Sequence, residues 1–253
     1  MKLIQLILRH NKLLFHLYQI YKYLIVLPLF GLSTVVFVTL GLIVLIISND
    51  KIASKMGVAW ARFNSIITPL FVQVIGRDNI DRQQSYVIVA NHQSLYDIFV
   101  LYGWIPVDFK WVMKAELRNY PFIGYFCDKI GHVFIDRSNS EAASASINSV
   151  KNKITNGTSV MFFPEGTWSK NGRLLYFKMG AFKLAVELRL PVLPVTIINT
   201  NNILPGDSLG LFPGCAKLVI HHPIRIDEYN NSNIPELVFR AKDAIQKGLD
   251  AYP

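Results

Sequence analysis

YVIVANHQSLYDIFVLY, residues 86 to 102, sets a histidine and an aspartate five positions apart between two apolar runs. Side chains five positions apart on one helix point about 140° away from each other. Two side chains that are to touch therefore cannot both be helical. His92 has to precede the helix that contains Asp97.

The turn between the two runs is predicted to bring the imidazole of His92 against a carboxylate. We expect a buried strand to end at Ala90 and a helix to run from Ser94, its N-cap, to about Trp104. Asp97 then lies in the first helical turn, where the helix dipole keeps its carboxylate ionised and able to accept a hydrogen bond from one ring nitrogen. The other nitrogen is left as a general base. The alternative is that both residues only cap the helix.

Strand and helix patterns alternate beyond about residue 78. The predicted strands are Ser85–Ala90, Phe109–Met113, His132–Ile135, Ser159–Phe163, Val192–Thr200 and Ala216–Ile220. The predicted helices are Ser94–Trp104, Pro121–Ile130, Glu141–Thr155, Ala181–Arg189 and Ile234–Leu249. This alternation predicts an α/β fold with a mostly parallel sheet flanked by helices.

An uncharged apolar segment runs from Leu24 to Ile47 in a chain that is 51% hydrophobic. As a helix it would be roughly 36 Å long, enough to cross a bilayer core. We therefore predict an N-terminal hydrophobic, membrane-associated helical segment. Residues 1–77 would be membrane-anchoring helices with an amphipathic connector over 51–77, and residues 78–253 a catalytic domain. A cleaved signal peptide is disfavoured because the apolar run is too long.

The topology of this segment stays open between a spanning helix and a re-entrant hairpin broken at Pro28 and Gly31. Basic residues lie on both sides of it, so charge does not fix an orientation. Residues 2–23 alternate apolar and basic side chains and could lie along the membrane interface. Residues 1–60 hold six basic residues and one acidic residue within a chain of net charge +9. With no nucleic-acid motif present, this favours an anionic lipid surface over nucleic acid.

Polar clusters follow three of the predicted strands. They are NHQSLYD (91–97), DRSNSE (136–141) and PEGTWSKNGR (164–173). Because ligands gather at the carboxyl ends of parallel strands, these clusters predict one shared site. No metal site is expected, since Cys127 and Cys215 have no metal-binding or redox spacing and His221-His222 reads as a strand-end feature.

These clusters resemble the signatures of the glycerol-phosphate and lysophosphatidate acyltransferase family. The NHxxxxD signature matches Asn91 to Asp97, and the glycine, apolar strand and Asp-Arg signature matches Gly131 to Arg137. FPEGT matches Phe163 to Thr167, and the apolar run around prolines matches Leu190 to Val195. FKxGAF at 177–182 is also similar to the family. The resemblance covers about residues 75–200, with the motifs in the family's order.

The resemblance implies transfer of a fatty acyl group from an acyl thioester to the free hydroxyl of 1-acyl-glycerol-3-phosphate, giving phosphatidate. The thioester would be acyl-CoA or acyl-(acyl carrier protein), and it would act as a cosubstrate. No cofactor is expected. His92 would be the general base and Asp97 would hold its tautomer, with the substrate supplying the nucleophile. The partners would be membrane lipids and the lyso-lipid acceptor, at a bacterial cytoplasmic membrane with the catalytic domain on the cytoplasmic side.

Cations near the shared site are candidates for the acceptor's phosphate. Arg137 is the first candidate, because a guanidinium binds phosphate in a fixed, bidentate geometry. Its alternative role is a surface ion pair with Asp136 or Glu141. Lys178 is the second candidate, with a solvated charge at a helix entry as the alternative.

The FPEGT segment supplies three further predicted binding residues. Gly166 permits close backbone approach to a ligand, and exposed N–H groups at Gly166 and Thr167 could hold phosphate or the developing oxyanion. Glu165 is predicted either to bind glycerol hydroxyls or to fix the loop, and we favour the loop.

Trp168 departs from the family, which usually has arginine at this position. Indole offers one N–H and a large apolar surface where a phosphate contact is expected. The acceptor could therefore be another lyso-lipid, either a lysophospholipid with a larger head group or a lyso-aminolipid. A different class, a catalytically silent membrane-anchored lipid-binding module, is disfavoured by the presence of both His92 and Asp97. A thioesterase or lipase is disfavoured because no G-x-S-x-G motif is present.

Overall fold

The strands form one sheet in the order β1-β7-β6-β2-β5-β3-β4 in the computed structural model, which describes residues 11–136, 154, 157–169, 171–206 and 210–252. They are β1 (Leu70–Ile75), β2 (Val87–Ala90), β3 (Phe109–Lys114), β4 (Val133–Ile135), β5 (Ser159–Phe162), β6 (Val192–Ile198) and β7 (Gly214–Ile220). Neighbouring strands are parallel, except for the antiparallel pair β6 and β7. The prediction of an α/β fold with a mostly parallel sheet is confirmed.

Helices flank this sheet and precede it in the chain. They are α1 (Lys12–Tyr21), α2 (Leu27–Ile47), α3 (Asp50–Ile67), α4 (Tyr96–Trp104), α5 (Ile123–Lys129), α6 (Gly180–Leu188), α7 (Thr200–Ile203) and α8 (Ile234–Ala251). The predicted helix Glu141–Thr155 lies outside the described residues apart from Ile154.

Strand β2 is buried on both of its faces. Ile88 and Ala90 belong to the core beneath α4, while Val87 and Val89 belong to a second core beneath α6 and α8. Alternate side chains of a strand point to opposite faces, so this continuous apolar run marks a strand covered on both sides. The turn that follows β2 is thereby carried on one of the most rigid elements of the fold.

Helix α4 begins at Tyr96, two residues later than predicted. The Ser94 hydroxyl accepts a hydrogen bond from the N–H of Tyr96 at 3.1 Å and donates to the carbonyl of Leu204 at 2.6 Å. The carboxylate of Asp97 reaches back to accept the N–H groups of Gln93 and Ser94, two residues that precede the helix, so it ties the turn to the first helical turn. Asp97 lies in the first helical turn, as predicted.

Helices α1 and α2 join through a π-helical turn, Lys22–Val26, into one helix from Lys12 to Ile47. Within the described part of the chain it is the one helix long and apolar enough to cross a membrane, by length and composition. The possible break at Pro28 and Gly31 is not present. A proline ring clashes with the carbonyl four residues earlier in a regular helix, and the π-helical turn just before Pro28 relaxes that spacing.

The inner side of α2 packs against the rest of the protein. Ser33 Oγ donates to Asn64 Oδ1 of α3 at 3.2 Å, and Trp60 Nε1 donates to Thr34 Oγ1 at 3.0 Å. Further along, a Cβ at Gly41 would lie 2.5 Å from the Phe126 ring of α5, so only glycine permits this approach. The opposite side of α2 is exposed and apolar.

Strand β1 corrects the assignment of residues 51–77 to an amphipathic connector. The stretch contains the amphipathic helix α3 and then an edge strand, which pairs in parallel with β7 from Leu70 opposite Gly214. β1 lies at the edge of the sheet and carries exposed residues such as Phe71. Pro69 is the signal that separates the two elements.

Candidate active site

The turn after β2 is fastened to the neighbouring strand by Asn91. Its Nδ2 donates to the carbonyl of Ile197 at 2.8 Å, and its Oδ1 accepts the N–H of Ile197 at 2.7 Å. The side-chain amide therefore continues the pairing of β2 with β6 for one more position. Asn91 thereby shapes the turn.

His92 and Asp97 are in direct contact at the carboxyl end of β2. His92 Nδ1 lies 2.7 Å from Asp97 Oδ2, and the aspartate is fully buried. The same Oδ2 accepts backbone N–H groups from Gln93 at 2.6 Å and Ser94 at 3.0 Å. A carboxylate oxygen that accepts these two N–H groups is also placed to accept Nδ1–H of the imidazole, which sets the tautomer of His92. Nε2 is then the nitrogen with a free lone pair.

Two aromatic rings hold the plane of the His92 imidazole. Phe163 stacks on it with ring centroids 3.9 Å apart and planes 9° apart, while Trp168 meets it edge-on at 6.1 Å. The His92 side chain is 12% exposed, so it keeps a small opening to the surface. The ring is thus fixed on one edge by Asp97 and on its face by Phe163. The sequence did not predict the stacking role of Phe163.

Glu165 joins the loop after β5 to the turn after β2. Its Oε1 accepts the N–H of His92 at 2.8 Å and its Oε2 accepts the N–H of Leu175 at 2.7 Å. Burial raises the pKa of Glu165 above its usual range, and the two N–H groups partly offset that effect. Both carboxylate oxygens are occupied by the backbone, which supports the loop-fixing role over hydroxyl binding.

We expect Glu165→Gln to lower both stability and activity. The amide can accept only one of the two N–H groups, and its own NH₂ faces the other. One buried donor is left unpaired, at a cost of about 1–3 kcal/mol in the free energy of unfolding. Denaturant unfolding measures this change, with exposed Glu228→Gln as the control. An unfolding midpoint equal to that of wild type would contradict the role of Glu165 in fixing the loop.

Gly166 and Lys178 lie side by side next to this loop. Gly166 has a φ of 77°, which glycine tolerates, and a Cβ there would lie 3.1 Å from Lys178 Nζ. Lys178 and Thr167 are exposed. The N–H of Gly166 donates to the carbonyl of Phe163 at 3.0 Å. Because that N–H is engaged, the predicted anion-binding role of Gly166 is reduced to permitting the approach of Lys178.

Two positions bear on the predicted phosphate site. Arg137, the first candidate cation, lies outside the described residues, so its role stays a prediction. Trp168 packs on Gly206, where a Cβ would lie 2.7 Å from the indole Nε1. The indole therefore forms a wall beside His92 instead of a charged contact.

No group of three or more His, Cys, Asp or Glu side chains in the described parts of the chain is placed to hold a metal ion. His221 directly follows β7, and its Nε2 lies 2.8 Å from Thr196 Oγ1. Cys127 and Cys215 are free and half-buried, and burial raises the pKa of the Cys127 thiol to about 12.

Comparison with known proteins identifies a family that this chain matches. The family model described as Acyltransferase matches residues 71–198. A 1-acyl-sn-glycerol-3-phosphate acyltransferase of Saccharomyces cerevisiae is 34% identical over 69% of this chain and 58% of its own length. One of Borreliella burgdorferi is 30% identical over 70% of this chain and 71% of its own length. The chain spans about half the length of several other curated relatives that it matches.

A solved structure matches nearly the whole chain. The crystal structure of the 1-acyl-sn-glycerophosphate (LPA) acyltransferase PlsC from Thermotoga maritima superposes with a TM-score of 0.79 and 29% sequence identity. The match covers 92% of this chain and 96% of that one.

Proposed function

This chain belongs to the acyltransferase family, and we propose that it transfers a fatty acyl group from an acyl thioester to the free hydroxyl of 1-acyl-glycerol-3-phosphate, giving phosphatidate. The observation that carries the proposal is the 2.7 Å contact between His92 Nδ1 and buried Asp97. The printed activities of the relatives from yeast, Borreliella and Thermotoga support the same reaction.

The dyad supplies a base at the point of attack. With Nδ1–H held by Asp97, Nε2 of His92 removes the proton from the acceptor hydroxyl while its oxygen attacks the thioester carbonyl carbon. A C–O bond forms and the C–S bond breaks. The proton held on His92 passes to the departing thiolate, so the base is restored and the products are an ester and a free thiol.

The nucleophile comes from the substrate in this mechanism. The nearby serine hydroxyls are already engaged, since Ser94 Oγ donates to the carbonyl of Leu204 and Ser169 Oγ donates to Asn171 Oδ1. A thioester is already activated, so a base and a bound alcohol suffice. We therefore expect no covalent acyl-enzyme.

Two cations are proposed to bind the acceptor's phosphate. Lys178 stands next to Gly166, on the loop that Glu165 ties to His92, so its charge is held near the reacting hydroxyl. Arg137 follows β4 in the chain and is the second cation proposed for this phosphate. Thr167 contributes its backbone N–H to the same anionic group.

A second candidate acceptor follows from Trp168. The indole lies edge-on to His92 and packs on Gly206, so an apolar wall borders the dyad. A lysophospholipid with a larger head group, or a lyso-aminolipid, would contact that wall favourably. The reaction at His92 is the same for either acceptor.

The lipid acceptor places the enzyme at a membrane. The inner side of α2 is occupied by α3 and α5, so its exposed apolar side is the surface that meets lipid. The soluble thioester, carried on CoA or acyl carrier protein, reaches the site from the aqueous side. A bacterial cytoplasmic membrane, with the catalytic domain on the cytoplasmic side, meets both needs.

An acceptor competition assay tests the proposal. Lysophosphatidate and a lyso-lipid with a larger head group are offered at equal concentration with one labelled thioester, and the labelled products are separated. Phosphatidate is expected to dominate. If the acylated form of the other lyso-lipid dominates, that lyso-lipid is the acceptor. If no acylated lipid forms, both candidate acceptors are wrong.

Lys178→Ala sharpens the same assay. Loss of one phosphate contact is expected to raise the KM for lysophosphatidate about tenfold, corresponding to about 1.4 kcal/mol, with kcat nearly unchanged. Lys183→Ala is the matched control, because Lys183 is an exposed lysine on α6 that no proposed contact uses. An equal KM in both variants would contradict the role of Lys178.

A further inference from the structure

An aromatic patch is exposed where β3 leads into α5. It consists of Leu117, Tyr120, Phe122, Ile123 and Tyr125, each exposed. The patch follows the carboxyl end of β3, and β3 is parallel to β5, which is in turn parallel to β2. The patch therefore lies at the edge of the sheet that carries His92 and Glu165.

The backbone of this patch is strained at Phe122. Its φ is 62° and its ψ is −52°, and the N–H of Ile123 lies 2.6 Å from the carbonyl oxygen of Pro121. These values define a classic γ-turn, a rare and strained conformation that glycine adopts more easily than a bulky residue. The Phe122 side chain is nevertheless 70% exposed, so packing within the protein does not offset the strain.

Helix α2 lies beside the patch. Helix α5 begins within it at Ile123, and Phe126 of α5 packs directly on Gly41 of α2. A cavity of about 100 Å³ beside this contact is lined by both Phe37 of α2 and Ile123 of α5. The aromatic patch and α2 are therefore neighbours in the fold.

The side chains around the patch match a lipid interface. Tyrosines place an apolar ring and a polar tip at the same depth, as in the aromatic belts of membrane proteins. Lys129 lies over the Tyr125 ring at 5.3 Å, and Arg118 pairs with Asp128. Basic groups with long apolar stems can extend toward lipid head groups from this position.

We infer that the aromatic patch inserts into the interfacial region of the bilayer that contacts α2, with Phe122 as its deepest side chain. This holds the edge of the sheet that bears His92 against the lipid surface, where a lyso-lipid acceptor enters. The strained γ-turn is retained because it directs Phe122 outward into lipid. The inference rests on the membrane location of the proposed function and not on its chemistry.

Site-directed spin labelling tests the insertion. The full chain carries Cys127→Ala and Cys215→Ala, and a nitroxide is attached through Phe122→Cys after reconstitution into phosphatidylcholine vesicles. The expected result is loss of relaxation by an aqueous nickel chelate together with strong relaxation by lipid-soluble oxygen. Phe239→Cys is the matched control, because Phe239 is 69% exposed on α8, which packs on the opposite face of the sheet.

A second label, through Tyr120→Cys, guards against a local defect at the strained turn and is expected to give the same pattern. Nickel relaxation at both patch positions equal to that at position 239 would overturn the inference and leave the patch as a surface for a soluble protein partner. The labels report on lipid contact whether or not acyl transfer occurs. A failure of the proposed reaction therefore leaves this result intact.

Discussion

Replacement of His92 by alanine is expected to lower kcat for acyl transfer by about 10²- to 10⁴-fold, the contribution of a positioned general base. The physical reason is that Nε2 is the nitrogen that Asp97 leaves available to remove the hydroxyl proton. The backbone N–H that Glu165 accepts is retained in the variant, so the turn should stay in place. The acceptor KM should change little, since the ring contributes no charge to the phosphate site.

The control for this prediction is His222→Ala, which removes an exposed histidine outside the site. Rates are measured with saturating thioester, and the unfolding temperature of each variant is compared with that of wild type. A His92→Ala enzyme that folds normally and keeps its full rate would mean that NHQSLYD is only a capped turn.

Asp97→Asn is expected to reduce kcat by a similar order, about 10²- to 10⁴-fold. Asparagine keeps the shape of aspartate but presents an NH₂ group, and it cannot both stabilise the imidazolium and enforce the Nδ1–H tautomer. Oδ2 accepts both backbone N–H groups and Oδ1 has no partner, so an asparagine that keeps these contacts buries its NH₂ group unpaired, and the free energy of unfolding is expected to fall by about 1–3 kcal/mol.

Kinetics and folding have to be measured together for this variant. Asp78→Asn, at an exposed position, is the control for loss of a carboxylate alone. If Asp97→Asn is folded at the assay temperature, the loss of rate reports on the dyad. A folded variant with wild-type kcat would show that Asp97 has only a capping role.

The sequence located the ends of the strands that carry the candidate site, but it did not predict the order of the strands in the sheet. An apolar run followed directly by a polar cluster located the ends of β2 and β5, and parallel strands bring such ends together. The pairing of β1 with β7, and the reversal between β7 and β6, depend on contacts between residues far apart in the chain. Local patterns carry no information on such contacts.

Within the site, the contacts of Glu165 and Phe163 indicate roles that their residue types alone leave open. Glu165 has the same chemistry whether it binds a hydroxyl or a backbone N–H, and only the positions of His92 and Leu175 identify the second role. Phe163 reads as the last residue of a buried strand, yet its ring stacks on the imidazole. No periodicity distinguishes a core phenylalanine from one that orients a base.

The helix from Lys12 to Ile47 illustrates a local rule overridden by neighbouring structure. The sequence left open a break at Pro28 and Gly31, but the helix continues through both, because the π-helical turn at Lys22–Val26 accommodates the missing hydrogen bond and relieves the ring clash. The chain instead reverses at Ser48 and Asn49, where the Asn49 side chain caps α3. The apolar segment therefore forms a hairpin with α3 and not within itself.

The measurement that tests the central claim most directly is the ratio of phosphatidate formed to thiol released by the wild-type chain in vesicles with lysophosphatidate and a labelled acyl thioester. We expect the enzyme to form one phosphatidate for each thiol released, and to release no thiol when the acceptor is omitted. Thiol release that continues without acceptor and yields free fatty acid would identify a thioesterase. Absence of both products would identify a lipid-binding module, and either result would contradict acyl transfer by His92.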